Sequence, residues 1–212
     1  MGRLIDLTVS GFDAEVAAAS PAPGGGSAAA LAGSVAAALV AMVCRLSVGR
    51  DDLATTADEL AKTLDAAEGL RRRLLELIDE DTAAFDAVMI AVRLPKAEEA
   101  QRVARVAALE QATLAAAAVP LETLTAAART LALAGALVGR ANPAAASDLG
   151  VAVELARASA EGALLNVAIN LGALPPGGDV DRLRQASARE IDAARATATL
   201  ATEAIRRGLS LG

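Results

Sequence analysis

The sequence predicts an all-α protein, an antiparallel helical bundle with one long helix, and three observations carry that expectation. The apolar content is aliphatic. Hydrophobic residues make up 54% of the 212 but aromatics only 1%; Ala and Leu favour helix, and small side chains let helices pack closely. Apolar residues return at helical spacing, and no window alternates with period two. The breaks between periodic stretches are short, with no linker that requires a second domain, so residues 1–212 read as one domain.

Taken in order, residues 1–9 lead in, and Ser10 caps a short helix to about Ala19 with Phe12, Val16 and Ala19 on one face. Pro21 ends it. A second helix runs from Ser27, a good N-cap, to about Val48, where Gly49 stops it. Asp51 to Val92 reads as the long helix: Leu53, Leu60, Leu64, Leu74, Leu77 and Ile78 share its spacing, and Arg71–Arg73 form a charged patch. Pro95 breaks the run. Lys96 to Ala118 is the next helix, and Pro120 begins another, to about Arg140. Asn142-Pro143 marks a turn, Ser147 caps a helix to about Leu171, and Pro175–Gly178 is a loop. Asp179 caps a final helix ending near Arg207-Gly208.

Composition narrows the chemistry. A net charge of −6 argues against nucleic acid or an anionic membrane surface as partner. With no His, the usual general base and commonest zinc ligand are missing, so acid–base work falls to Asp, Glu, Lys or Cys. Cys44 stands alone, which rules out an internal disulfide and a thiolate metal cluster and fits a reducing, cytoplasmic setting. It lies in an apolar run and reads as a buried structural thiol. No signal peptide is evident. The uncharged run 28–44 is short for a membrane span and rich in alanine, so a bundle-core helix is expected there.

Five features stand out as candidates for function. Pro21-Ala22-Pro23-Gly24-Gly25-Gly26-Ser27 sets bare backbone at the positive end of an apolar helix. Such an end suits a carboxylate, a phosphate or a polarised carbonyl, though a connector into a core helix has the same composition. Asp81 shares a helix face with Phe85, Val88, Met89 and Val92, so its carboxylate must be paired or used. Asp148 stands at a helix start, where the dipole favours an acid. Ser159, Gly162, Asn166 and Asn170 form a small, polar stripe that either bonds a neighbouring helix or lines a polar ring. Lys96 sits at a helix start against the dipole, as a surface lysine or as the mate of an anion.

Together these segments resemble the cyclodeaminase/cyclohydrolase family. The matching stretches are PAPGGGSAAALAG with MVCRLSVGR (21–50), DTAAFDAVMIAVRLPK (81–96), Arg105 through AAVPLE (105–122), and NPAAASDLGVA with EGALLNVAINL (142–171). The chain departs from the family at Leu46–Arg50, where Thr and Lys are usual. The resemblance implies a helical domain that forms a homodimer, with a tetrahydrofolate site near the subunit interface and neither metal nor redox cofactor. It implies one of two reactions. A cyclohydrolase adds water to 5,10-methenyltetrahydrofolate and gives 10-formyltetrahydrofolate. A cyclodeaminase closes 5-formiminotetrahydrofolate and releases ammonia. The lack of a fused formiminotransferase domain favours the first.

By the same resemblance, Asp81 or Asp148 is the catalytic carboxylate. Asn166 and Asn170 hold the pterin edge, and Gly24, Gly25, Gly26 and Ser27 line the pocket. Lys96 and Arg105 meet the glutamate tail, and Asn142 belongs to the substrate-binding set. A helical dimer that binds folate or a protein without turnover is the rival from another class.

Overall fold

A computed structural model of the chain describes residues 2–210; Met1, where the expected lead-in begins, and Leu211 and Gly212 lie outside them. Among the described residues there are six α-helices, three short 3-10 turns and no strand. The helices are α1 (Val9–Ala17), α2 (Gly25–Ser47), α3 (Ala57–Val92), α4 (Glu99–Leu137), α5 (Ala146–Gly172) and α6 (Gly178–Gly208). The all-helical expectation holds, and the long helix is present twice, as α3 with 36 residues and α4 with 39.

α2 is the centre of the bundle. It packs against α3, α4 and α5, while α6 closes the far side over α4 and α5. It is long and apolar enough to cross a membrane, yet 61% of its most apolar window is buried among the other helices. Val40, Val43, Cys44, Leu124, Leu131 and Val153 form the heart of the core. Burial pushes the Cys44 thiol up to about 11, so it stays protonated and inert at neutral pH.

A seam of small residues brings α2 and α5 together in opposite directions. A Cβ built on Gly162 would stand 3.3 Å from that of Ala29, and one on Gly33 would stand 2.6 Å from Ser159 Oγ. Close backbone approach of this kind needs residues without bulk. It also strands the buried Ser159 hydroxyl, which makes no hydrogen bond.

Pro120 does not begin a helix. It lies inside α4, which runs unbroken from Glu99 to Leu137. A proline in a helix interior removes the N–H that would serve the carbonyl four residues back, here that of Ala116. The Asn170 side chain on α5 donates its Nδ2 to that carbonyl at 2.8 Å. A donor from a neighbouring helix therefore offsets the lost bond. Replacing Asn170 by Ala is expected to destabilise the protein by about 1–3 kcal/mol in urea unfolding. In a Pro120→Ala background, where an N–H is restored, most of that cost should vanish; equal costs in both backgrounds would refute the pairing.

Several helix starts differ from the local rules. Thr8, not Ser10, caps α1, accepting from the Gly11 N–H at 3.0 Å, and α1 ends before Ala19. A 3-10 turn at Asp51–Thr56 precedes α3. The Asn142 side chain caps a 3-10 turn at Pro143–Ala145 that leads directly into α5, so Ser147 falls inside the first turn of α5 and caps nothing. α6 starts at a Gly177 N-cap, with Asp179 the second residue of the helix and paired to Arg182. Arg73 is no loose surface charge. It binds Glu76 and Glu80 on its own helix and reaches Glu122 on α4 at 2.6 Å, which ties the two long helices.

Candidate active site at the start of α2

α2 begins without a side chain to cap it. Gly24 is its N-cap and offers no acceptor to the free N–H groups of the first turn. Ser27, expected as the cap, is instead the third residue of the helix, and the acceptor comes from another helix. Asp81 on α3 takes hydrogen bonds from the Ser27 N–H and from Ser27 Oγ, the latter at 2.9 Å to Oδ2. An α3 carboxylate thus does for α2 what an N-cap side chain does for its own helix.

The glycines make room for this. None of the three adopts the left-handed conformation; the positive-φ glycines are Gly49 and Gly139. What matters is volume. A Cβ on Gly26 would fall 2.1 Å from Asp81 Oδ1 and 2.7 Å from Oδ2. A Cβ on Gly25 would meet Asn166 Nδ2 at 3.5 Å, an ordinary contact, and one on Gly24 would meet only the Pro21 carbonyl, also at 3.5 Å. Only Gly26 is dictated by space.

Asp81 is mostly buried, and burial raises its pKa above the ordinary carboxylate value; the two bonds from Ser27 pull the other way and lose. No charged neighbour contributes. Such a group holds a proton more readily than a surface acid does, and when ionised it has no resident cation. Across the first turn of α2 stands Asn166 of α5. Its Nδ2 donates back to the Gly162 carbonyl at 2.9 Å, and its Oδ1 accepts no bond from the described residues. A carboxylate with a raised pKa, bare backbone at Gly25 and an amide oxygen therefore meet at one helix end. Among the described residues, no three His, Cys, Asp or Glu side chains could hold a metal ion.

A family model described as formiminotransferase-cyclodeaminase matches residues 8–189. The chain belongs to the formiminotransferase-cyclodeaminase family. A methenyltetrahydrofolate cyclohydrolase of Methylorubrum extorquens is 40% identical over 77% of this chain and 78% of that protein. The mouse formimidoyltransferase-cyclodeaminase is 37% identical over 79% of this chain, which spans only 31% of the mouse protein. Among solved structures, a formiminotetrahydrofolate cyclodeaminase from Thermotoga maritima superposes with a TM-score of 0.80 at 25% identity, over 96% of both chains.

In this formiminotransferase-cyclodeaminase family member the remaining candidates divide between two ends of the bundle. Lys96 lies exposed in the turn between α3 and α4. Arg105 reaches across that turn and donates to the Val92 carbonyl at 3.1 Å, which caps α3. Val92 is 11 residues beyond Asp81, about 16 Å along the helix axis. Asn170 faces α4 and gives its amide to Ala116, the helix-bonding alternative for that stripe.

Asp148 and Asn142 lie at the other end. Asp148 is half-buried in the first turn of α5, 18 residues from Asn166 and so about 27 Å away along the same helix. The Asn142 side chain joins that end to α2, donating to the Leu46 carbonyl at 3.2 Å, while its N–H donates to Ser47 Oγ at 2.8 Å. Within one chain neither residue joins the Asp81 cluster.

A partly open cavity of about 220 Å³ occurs at this second end, lined by residues that include Val43, Leu137, Asn142, Leu149 and Ile205. Its lining residues are mostly apolar, and the Asn142 amide already bonds the Leu46 carbonyl and the Ala144 N–H. The Asp81 end carries the carboxylate whose pKa burial raises. Sequence reasoning named Ser27 but missed its bond to Asp81, and missed Thr82, whose Oγ1 lies 3.4 Å from Ser27 Oγ. Their meeting depends on how α3 crosses α2, and neither stretch alone signals it.

Proposed function

We propose that this protein is a methenyltetrahydrofolate cyclohydrolase, interconverting 5,10-methenyltetrahydrofolate and 10-formyltetrahydrofolate. The observation that carries the reading is Asp81: a carboxylate with a raised pKa, tied to the start of α2 through Ser27, with no cation beside it. The substrate brings the missing positive charge in its amidinium group. As the water oxygen bonds to the amidinium carbon, Asp81 takes one water proton. The bond from that carbon to N5 then breaks, the remaining hydroxyl proton passes to N5, and the formyl group stays on N10. One proton is released overall, and the reaction as written draws on no metal or redox cofactor.

Asn166 and the Gly25 backbone face the pterin edge in this reading, and Lys96 with Arg105 meets the glutamate tail. A homodimer belongs to it as well. Ile90, Val92 and Leu94 on the α3 end, Val103 and Val106 on α4, and Leu165 and Ile169 on α5 are exposed apolar residues near the same end, which a second copy would cover. Asp148 can reach the site only from that second copy, so the catalytic role goes to Asp81.

The alternative is formiminotetrahydrofolate cyclodeaminase, favoured by the names of the mouse relative and the Thermotoga structure. The identity to the Methylorubrum cyclohydrolase, over most of both proteins, tips the choice. Both substrates should be assayed side by side on a preparation whose mass is measured by light scattering. Loss of methenyl absorbance at the higher kcat/KM, on a dimer, is the expected result. Faster ammonia release selects the cyclodeaminase, and binding without turnover selects the non-catalytic rival.

A further inference from the structure

We infer that Ser27 is a positioning residue for Asp81, a hydroxyl rotor whose single proton turns between the Asp81 carboxylate and the Ile78 carbonyl. The inference rests on Asp81 as the group that exchanges a proton with water. Ser27 is fully buried, so it acts through Asp81 and not on a bound substrate. Its Oγ lies 2.9 Å from Asp81 Oδ2 and 3.1 Å from the Ile78 carbonyl oxygen. A hydroxyl has one hydrogen to donate and two lone pairs with which to accept. It cannot donate to both oxygens at once.

The state of Asp81 decides between them. When Asp81 is ionised, the stronger acceptor is the carboxylate, and the hydroxyl donates there. When Asp81 has taken up a proton, its own O–H becomes a donor. Ser27 can then turn its hydrogen to Ile78 and accept from the acid. Neither state leaves a buried polar atom unpaired, and the change costs one rotation about a Cβ–O bond. Meanwhile the Ser27 N–H anchors the carboxyl group against the helix start. Gly26, having no side chain, leaves open the space that the carboxyl group occupies there.

No other charge competes for this control. α2 carries no ionisable side chain before Cys44 and no charge before Arg45, and α5 carries no charge after Glu161, which is bound to Arg195. On α3 itself, Asp79 binds Arg3 and the Leu4 N–H, Glu80 binds Arg73, and Asp86 is exposed. On α4, Glu122 is held by Arg73.

The test is the pH profile of kcat/KM on methenyltetrahydrofolate for Ser27→Ala and Ser27→Thr, beside Asp81→Asn. Removing the hydroxyl removes a bond that favours the ionised carboxylate. The Ala variant should therefore shift its acidic limb to higher pH, losing roughly tenfold at the acidic end and less than threefold at the plateau, with KM little changed. The Thr variant keeps a hydroxyl and should restore the limb. If Ala does not fold, Ser27→Cys, with its weak S–H donor, gives the same reading. A uniform loss with an unmoved limb, or a limb moved to lower pH, overturns the rotor while leaving Asp81 in place if Asp81→Asn is inactive. Full activity of Asp81→Asn removes the functional reading and the rotor with it.

Discussion

Asp81→Asn is expected to lower turnover by roughly a hundred- to ten-thousand-fold, the span general acid–base groups contribute, while making the protein melt higher at neutral pH. The two effects share one cause. Burial raises the Asp81 pKa in the folded protein above its unfolded value. Asp81 therefore favours the fold when protonated, fully below the unfolded pKa, and that contribution is lost as pH rises through the folded pKa. At neutral pH the native chain holds a buried charge without a cation. Asn has no such charge, keeps the shape, and can still accept from Ser27. Thermal melts should show the variant ahead at neutral pH, with the gap closing in acid toward the ordinary carboxylate range of about 4. Activity of the native enzyme should fall over the same acidic stretch, because the base is consumed by protonation. A variant that keeps its turnover, or melts lower at neutral pH, would contradict the assignment.

The fold was legible because its cause is repeated along the chain. Leu60, Leu64, Leu74, Leu77 and Ile78 recur at a spacing that only a helix places on one side, and Ala supplies the rest of the packing. The punctuation was legible only where its cause is local. Pro95 ends a helix: α3 stops at Val92, three residues before it. Pro120 does not, because Asn170 arrives from a helix fifty residues on in sequence. Ser27 was misread for the same reason in reverse: a local rule gave it the capping role that Asp81 takes from across the bundle.

Asp81 itself could be singled out by a short argument, an acid on an apolar helix face. Asp148 was marked by its place at a helix start and Asn142 by a turn; the resemblance supplied their roles, and their spacing from Asn166 already implied a distant end of the bundle. What the sequence could not carry was a contact between a main-chain turn and a side chain 54 positions away.

Gly26→Ala probes that contact most directly. The new methyl would stand 2.1 Å from Asp81 Oδ1, so the carboxyl group must swing away and lose its bonds to Ser27. The atoms displaced belong to the end of a side chain and not to backbone. The helix also gains by up to about 1 kcal/mol when Ala replaces Gly. Folding should survive, with stability within about 1–2 kcal/mol of the parent. Turnover should not: a displacement of about 1 Å at the reacting group costs on the order of a hundredfold. At Gly33 the same methyl would meet Leu74 in the core at 3.1 Å as well as Ser159, so there the cost falls on stability. Circular dichroism, melting temperature and kcat/KM together separate the two kinds of damage. A folded Gly26→Ala protein working at the parental rate would mean that Asp81 serves the reaction from some other position, and the start of α2 would lose its claim to be the site.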